Sequence, residues 1–477
     1  MSNQGDVADI RTEVLVLGAG PGGYTAAFRA ADLGKQVVLV ERYSSLGGVC
    51  LNVGCIPSKA LLHTAEVINE VAELEQMGVR YTAPKIDLDK MRAGKDKVVG
   101  KLTGGLAALA KQRKVQVVTG LGKFAGPKHI EVQTADGLSR IEFDHCIIAC
   151  GSSPVKIPGF PNDDPRLIDS TGALALEDVP KKMLIVGGGI IGLEMASVYA
   201  TLGAEVDIVE LQDGLIPGCD RDLVRPLQKR LDKQVGSIML KTKVTDIKAQ
   251  KNGLKVAFEG DKAPDAKIYD RVLVAVGRTP NGKLINAEAA GVHVDERGFI
   301  RVTERLETTA AGIFAIGDVV PGPMLAHKAS AEGAALAEAL AEEREGTLVQ
   351  DAAQIPQAIF TDPEIASVGL SESAAKEAGV PLRVGRFPFA ALGKALGQRA
   401  PEGFFQIVAD AESHVILGVQ IIGAEASDLI AEAAIAVQQK LSLEAIADGI
   451  HAHPTLPEGL KEAAENALGR AIHAINR

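Results

Sequence analysis

One supersecondary unit is written twice in this chain, and that repeat constrains its fold more than any other feature. Residues 13–41 read EVLVLGAGPGGYTAAFRAADLGKQVVLVE, and residues 182–210 read KMLIVGGGIIGLEMASVYATLGAEVDIVE. Each copy runs from an apolar strand through a G-x-G-x-x-G turn and a helix to a second apolar strand that closes on Glu. The glycines are Gly18, Gly20 and Gly23 in the first copy and Gly187, Gly189 and Gly192 in the second; the closing acids are Glu41 and Glu210. The interval from first glycine to closing acid is the same in both. The repeat predicts an α/β fold with two Rossmann-like dinucleotide-binding domains.

The spacing has a mechanical origin. The first glycine makes the tight turn, the second admits a pyrophosphate close to the backbone, and the third lets helix and strand pack. The helix N-terminus then presents unpaired N–H groups and a partial positive charge to the phosphates. The closing acid is placed to accept a hydrogen bond from a ribose hydroxyl. Strand, turn, helix and acid in order make each copy a strong signal, and two copies imply two dinucleotides. No basic residue occurs in LQDGLIPG after Glu210. Glu210 would repel a 2′-phosphate, so NAD is favoured over NADP at the second site.

Directly after the first unit comes GGVCLNVGCIPSK, with Cys50 and Cys55. A bridge closing so short a loop would contribute little through chain entropy. A zinc site would need a second ligand pair, and none is present. Five cysteines without a secretory signal do not make a disulfide scaffold. A redox couple is favoured over the remaining alternative, two buried thiols of no consequence. In a regular helix, residues five apart have Cα atoms roughly 8–9 Å apart, beyond the ~7 Å reach of a disulfide. A bridging segment must therefore be distorted, and Gly47, Gly48 and Gly54 supply the freedom. A dithiol beside a dinucleotide needs a carrier that takes both electrons and exchanges hydride, which flavin does. FAD is thus assigned to Gly18–Glu41 and NAD to Gly187–Glu210.

Other segments are less specific. Residues 142–151 read as an apolar strand breaking at Gly151, with Cys146 and Cys150 buried and too far apart to bridge. Residues 305–320 read as a strand ending at Gly317-Asp318, where Asp318 could hold cofactor hydroxyls or be a plain turn aspartate. The run MLAHKASAEGAALAEALAEE looks helical, with its N-terminus a candidate to face the flavin ring. His327 could line that site or simply begin the helix. HAHPTLPEG follows an amphipathic stretch. His453 precedes Pro454 and should be extended, and Glu458 is close enough to orient one ring tautomer. By itself this reads as a surface histidine in a proline loop. Beside a thiol pair with no other base, it becomes a candidate acid–base group. His451 could be structural, and Cys219 has no evident partner.

A net charge of −10 argues against a nucleic-acid footprint. No apolar run is long enough for a membrane span, and the polar N-terminus, MSNQGDVADIRTE, is not a signal peptide. A soluble protein of a reducing compartment is expected, cytoplasmic or in a mitochondrial matrix.

Together, GGVCLNVGCIPSK, the paired fingerprints, the Gly-Asp segment and HAHPTLPE resemble the flavoprotein disulfide reductases, over almost the whole chain. The resemblance implies an FAD domain (1–150), an NAD domain (151–280), a central domain completing the FAD site (281–350) and a C-terminal α+β dimerisation domain (351–477). It implies a homodimer whose active sites each draw on both subunits. Cys50 would be the interchange thiol that meets the substrate, and Cys55 the thiol against the flavin. Lys59 would lie near the flavin, paired with Glu194. His453 would be the acid–base residue, held by Glu458. Gly151, Gly277 and Asp318 would join the glycines and acids of the two fingerprints in binding the cofactors. The implied activity is oxidation of a protein-bound dihydrolipoyl dithiol with NAD⁺, the lipoyl domains and acyltransferase core of a 2-oxo acid dehydrogenase complex being the partners. Cys150 stands where the family commonly has Thr, a small change that keeps the turn. Relatives that use NADPH would want basic residues after the second fingerprint. Those with a second redox pair would want C-terminal cysteines, and the last here is Cys219. A peroxide- or oxygen-reducing relative would use a single active Cys, and here there are two. The alternative from another class is a complex-bound flavoprotein with mainly a binding role.

Overall fold

The computed structural model describes residues 9–342, 346–349 and 351–476. Most of the polar N-terminal run and the last residue of the expected MLAHKAS helix lie outside them. The chain divides into two compact units. The first comprises residues 1–60, 87–155 and 277–350, the second residues 61–86, 156–276 and 351–477.

The first unit is organised by the first repeat. Strand Ile10–Leu17 leads into helix Pro21–Asp32 and then strand Val37–Glu41. Pro21 sits at the helix start, where its missing N–H costs nothing. In the sheet, Gln116–Thr119, Val37–Glu41, Ile10–Leu17 and Gly137–Ile148 lie side by side and parallel, and Gly137–Ile148 continues antiparallel into His129–Thr134 and Leu121–Gly126. Strand Val37–Glu41 is buried along its whole length, as a central parallel strand must be. Two aliphatic layers cover the sheet. One centres on Leu15, Val38, Ile141 and Ile313, the other on Val14, Leu39, Ile147 and Leu336.

Two sequence expectations need correction here. The strand expected over 142–151 runs Gly137–Ile148 and ends before Cys150. The strand expected over 305–320 is only Ile313–Ala315, followed by a 3₁₀ turn at Gly317–Val319. Ile316, Val319 and Val320 are buried although they are not in a strand, so apolar character alone overstated its length.

The second unit repeats the scheme. Strand Lys182–Val186, helix Ile190–Thr201 and strand Glu205–Val209 form a parallel sheet with Ser237–Met239, Arg271–Val274 and Leu167–Ile168. Its C-terminal part is an antiparallel sheet in the order Gln357–Ile359, Glu364–Gly369, Ile416–Gly423, Phe404–Asp410 and Leu382–Pro388. Helices Ala426–Gln438 and Glu458–Ala467 pack on it through Ile430, Ala433, Leu460 and Ala463. Phe389 and Phe405 stack within this core at 4.9 Å between ring centres. The expected α/β architecture, two Rossmann-type domains and a C-terminal domain with its own antiparallel sheet, is what the chain adopts.

Candidate nucleotide and thiol sites

The two glycine turns are geometric copies. Gly18 and Gly187 have φ of +106° and +109°, a left-handed backbone that favours glycine. A Cβ on Gly23 would lie 1.8 Å from the Gly18 carbonyl oxygen, and one on Gly192 2.2 Å from that of Gly187. Both third glycines are therefore obligatory for packing. At Gly20 and Gly189 no described atom outside the local chain comes within 4 Å of a built Cβ. These two face open space at the start of a helix, and a pyrophosphate fits there.

The closing acids are tied into the same turns. Glu41 Oε2 accepts from the Ala19 N–H at 2.8 Å and Oε1 from the Tyr43 N–H at 3.1 Å. Glu210 Oε2 accepts from the Gly188 N–H at 2.7 Å and Oε1 from the Gln212 N–H at 2.8 Å. Both acids are buried. Each carboxylate oxygen keeps a second lone pair, so a ribose hydroxyl can still be accepted. Arg221, the next basic residue after Glu210, spends its guanidinium on the carbonyls of Leu215, Ile216 and Cys219. It is committed to its own loop.

The thiol pair is docked onto the first turn. Gly47 N–H donates to the Ala19 carbonyl at 2.8 Å, and a Cβ on Gly48 would lie 2.6 Å from Gly20 Cα. Helix Gly48–Val53 carries Cys50, and helix Cys55–Glu73 begins at Cys55. The break between them is Gly54, at φ −143° and ψ −113°. The distortion expected between the cysteines thus falls on the residue separating the two helices. Asn52 staples the segment, donating to the carbonyls of Gly48 and Leu46 and accepting from Ser45 Oγ at 2.7 Å.

Both cysteines are thiols here, Cys50 half-buried and Cys55 exposed. The side-chain hydrogen bond to Cys55, with burial second, pushes the Cys50 pKa far above the usual thiol range, while Lys59 pulls it down. Burial likewise raises Cys146 and takes Cys150 to about 12 and Cys219 to about 11. Cys146 is buried as expected, whereas Cys150, expected to be buried as well, is half-buried, as Cys219 is. Tyr24, on the first fingerprint helix, is raised by its own burial and by the nearby Cys50.

Asp318 lies on the 3₁₀ turn after Ile313–Ala315. Its Oδ2 accepts from Ser152 Oγ at 2.6 Å, and Ser152 Oγ in turn accepts from Arg278 Nε at 2.7 Å. Gly151 and Gly277 border this network, with φ of +66° and +123°, and a Cβ on either would face open space. Gly151 C=O accepts from the Asn281 N–H and Gly277 C=O from the Val155 N–H. The sequence singled out neither Ser152 nor Arg278. Their signal was adjacency to Gly151 and Gly277.

In the second unit, His453 Nδ1 meets Glu458 Oε1 at 2.8 Å, and Glu458 Oε2 accepts from the Thr455 N–H at 2.8 Å. Burial works to raise the Glu458 pKa. The Thr455 N–H and His453 outweigh it, and the carboxyl stays below its ordinary range. An ionised Glu458 fixes the proton on Nδ1 and leaves Nε2 as acceptor. The His453 side chain is 77% exposed, so Nε2 is accessible. His451 has a separate acid, its Nε2 meeting Glu432 Oε1 at 3.1 Å. Glu194, on the second fingerprint helix, is buried and accepts from the Phe360 N–H at 3.3 Å.

Comparison with known proteins decides the family. Residues 12–333 match the family described as pyridine nucleotide-disulphide oxidoreductase, and residues 355–464 match its dimerisation domain. The chain belongs to the pyridine nucleotide-disulphide oxidoreductases. Among curated members, it is 50% identical over 458 residues to the dihydrolipoyl dehydrogenase of Vibrio cholerae serotype O1, covering 96% of each chain. It is 44% identical to the mitochondrial dihydrolipoyl dehydrogenase of Pisum sativum, covering 97% of this chain and 92% of the other. Among solved structures, LpdA from Mycobacterium tuberculosis superposes with a TM-score of 0.88 at 26% identity, over 95% of this chain and 99% of that one. The HOCl-induced flavoprotein disulfide reductase RclA from Escherichia coli follows with a TM-score of 0.84 at 27% identity and the same coverage. As a member of this family, the chain carries its dimerisation domain, and no described helix is long and apolar enough to cross a membrane.

Proposed function

We propose that this chain is an NAD-dependent dihydrolipoyl dehydrogenase that oxidises a protein-bound dihydrolipoyl dithiol. One observation carries the reading: the Cys50–Cys55 pair, with its helix broken at Gly54, is fastened by Gly47 and Gly48 to the first dinucleotide turn. The relatives at 44–50% identity support the substrate class. FAD, held by Gly18, Gly20, Gly23, Glu41, Gly151 and Asp318, would supply the two-electron link between the thiols and a nicotinamide. NAD⁺ would take the turn of Gly187, Gly189 and Gly192 with Glu210, and Gly277 and Glu194 would border it.

The chain's own residues account for the sulfur chemistry. Starting from the Cys50–Cys55 disulfide, His453 Nε2 accepts the proton of one substrate thiol while Glu458 holds Nδ1–H. The substrate thiolate attacks Cys50 Sγ, forming a mixed disulfide and releasing Cys55 as thiolate. The second substrate thiol attacks the sulfur bound to Cys50, and its proton passes to the departing Cys50 Sγ while His453 keeps the first. The lipoyl disulfide closes, and Cys50 leaves and is protonated. Two electrons then reside on the cysteine pair, and one NAD⁺ is reduced per dithiol oxidised. Lys59 stabilises negative charge at the pair. The working form is a homodimer, each site drawing on both protomers. Its partners are the lipoyl domains and acyltransferase core of a 2-oxo acid dehydrogenase complex, in the cytoplasm or a mitochondrial matrix.

The test mixes the holoprotein with dihydrolipoamide and NAD⁺ and follows NADH at its absorbance maximum. Wild type should produce NADH. Cys55→Ser should keep its FAD and lose turnover by at least about 10³-fold, as expected for loss of a covalent relay. Full activity in that variant defeats the scheme, and FAD-loaded wild type without turnover favours a binding role instead.

A further inference from the structure

We propose that Lys328 and Glu332 form a positioning pair that aims the Asp318 carboxylate at FAD; this rests on the reading that Asp318 binds that cofactor. The two residues lie one turn apart on helix Ala326–Glu342. Their side chains are 4% and 1% exposed, and Lys328 Nζ meets Glu332 Oε1 at 3.0 Å. Burying such a pair costs more desolvation than an apolar pair of the same size, and neither group belongs to the thiol chemistry. Both instead grip one residue. Glu332 Oε2 accepts from the Gly317 N–H at 2.8 Å, and Lys328 Nζ donates to the Gly317 carbonyl at 3.2 Å.

The N–H belongs to the peptide before Gly317 and the carbonyl to the peptide leading into Asp318. Holding both fixes the rotation of the chain through Gly317, whose φ is +75°. The same helix limits that turn sterically, since a Cβ on Gly317 would lie 3.1 Å from Ala329 Cβ. Ser152 holds the Asp318 carboxylate from the other side at 2.6 Å. The backbone is thus set by an ion pair and the side chain by a hydroxyl, which is the preorganisation that a short carboxylate needs to meet a cofactor hydroxyl. The helix is also anchored to the first fingerprint. A Cβ on Gly22 would lie 2.9 Å from the Ala329 carbonyl oxygen, and one on Gly333 2.5 Å from that of Gly22. One helix therefore registers the Gly317 turn against the start of the fingerprint helix.

The test compares Glu332→Gln, Lys328→Met, Asp318→Asn and the double Glu332→Gln/Asp318→Asn as full-length holoproteins. Dissociated FAD is measured by flavin fluorescence on serial dilution, and folding by far-UV circular dichroism. Glu332→Gln and Lys328→Met should each weaken FAD binding by about tenfold, the size of one lost charge-assisted hydrogen bond, with native spectra. In the Asp318→Asn background, Glu332→Gln should weaken binding by less than about twofold further, because the pair acts through Asp318. Lys328→Arg, which keeps the donor, should hold FAD within about threefold of wild type. Losses that multiply in the double variant would mark a merely structural pair and overturn the proposal. Unchanged FAD affinity in both pair variants, with Asp318→Asn weakened, would overturn it while leaving the Asp318 reading intact. Unchanged affinity in Asp318→Asn would sink the Asp318 reading itself. Should Glu332→Gln fail to fold, Lys328→Met against Lys328→Arg carries the same decision.

Discussion

At the residue scale, the thiol chemistry depends on which groups hold charge. Lys59 pulls the Cys50 pKa down against its hydrogen bond to Cys55 and its burial. Lys59→Met should therefore keep the thiol protonated to higher pH. In reduced protein, alkylation by iodoacetamide near pH 7.5 should slow by about three- to tenfold; an unchanged or faster rate would contradict the assignment. Glu458 shifts the other way. Because its pKa is depressed, it stays ionised as pH falls through the ordinary Glu range and releases His453 only below it. Between pH 5 and 8 it is a constant charge, so the acid limb of a kcat profile there belongs to another group. Glu458→Gln should lower kcat by about 10²–10⁴-fold, as when the orienting acid of a catalytic histidine is lost, with the flavin spectrum unaltered. A kcat within twofold of wild type would remove Glu458 from the mechanism.

At the element scale, glycines decide how closely the pieces fit. Gly459 follows Glu458 at the start of helix Glu458–Ala467, and a Cβ there would lie 2.2 Å from the Phe405 ring. Phe405 is fully buried and stacked on Phe389, so it cannot move aside. Gly459→Ala should destabilise the protein by about 1–3 kcal/mol through overpacking and shift Glu458 relative to His453, lowering kcat as well as stability. Urea unfolding followed by circular dichroism, with kcat measured in parallel, checks both; neutral stability would mean that the helix can slide. The sequence makes some of this scale legible. The two repeats were readable because strand, turn and helix are consecutive in the chain, and His453 with Glu458 because they share one loop. The strand at Ile313–Ala315 was overestimated because buried turn residues are as apolar as strand residues. Ser152, Arg278 and the grip of Lys328 and Glu332 on Gly317 were invisible for a different reason. Ser152 meets Arg278 126 residues away and Asp318 166 residues away, and no local pattern marks such pairs. The ion pair sits inside an alanine-rich helix, where Lys and Glu one turn apart look like an ordinary solvated face.

At the scale of the whole molecule, the duplicated turn raises the question of which copy serves which dinucleotide. Geometry cannot separate them, since their first glycines, third glycines and closing acids agree closely. What differs is the surroundings. Among the described residues, the docked thiol segment is found on the first turn, through Ala19 and Gly20. Each closing acid is followed by an arginine held in its own loop, Arg42 over the Tyr43 ring and Arg221 on the carbonyls of Leu215 and Ile216, so the thiol segment is the feature that tells the copies apart. A Cβ placed at either second glycine points into the space assigned to a pyrophosphate and meets no described atom within 4 Å beyond its chain neighbours, so a branched side chain there should block a ligand and leave the fold intact. Gly20→Val should yield a folded protein that does not retain FAD. Gly189→Val should stay yellow, keep reducing an artificial acceptor such as ferricyanide with dihydrolipoamide, and show a KM for NAD⁺ raised by at least about tenfold, the cost of losing one or two phosphate contacts. Flavin absorbance and parallel assays with the two acceptors separate these outcomes. The reverse pattern, a colourless Gly189→Val beside a yellow Gly20→Val with impaired NAD⁺ use, would exchange the two sites and detach the thiol pair from its cofactor.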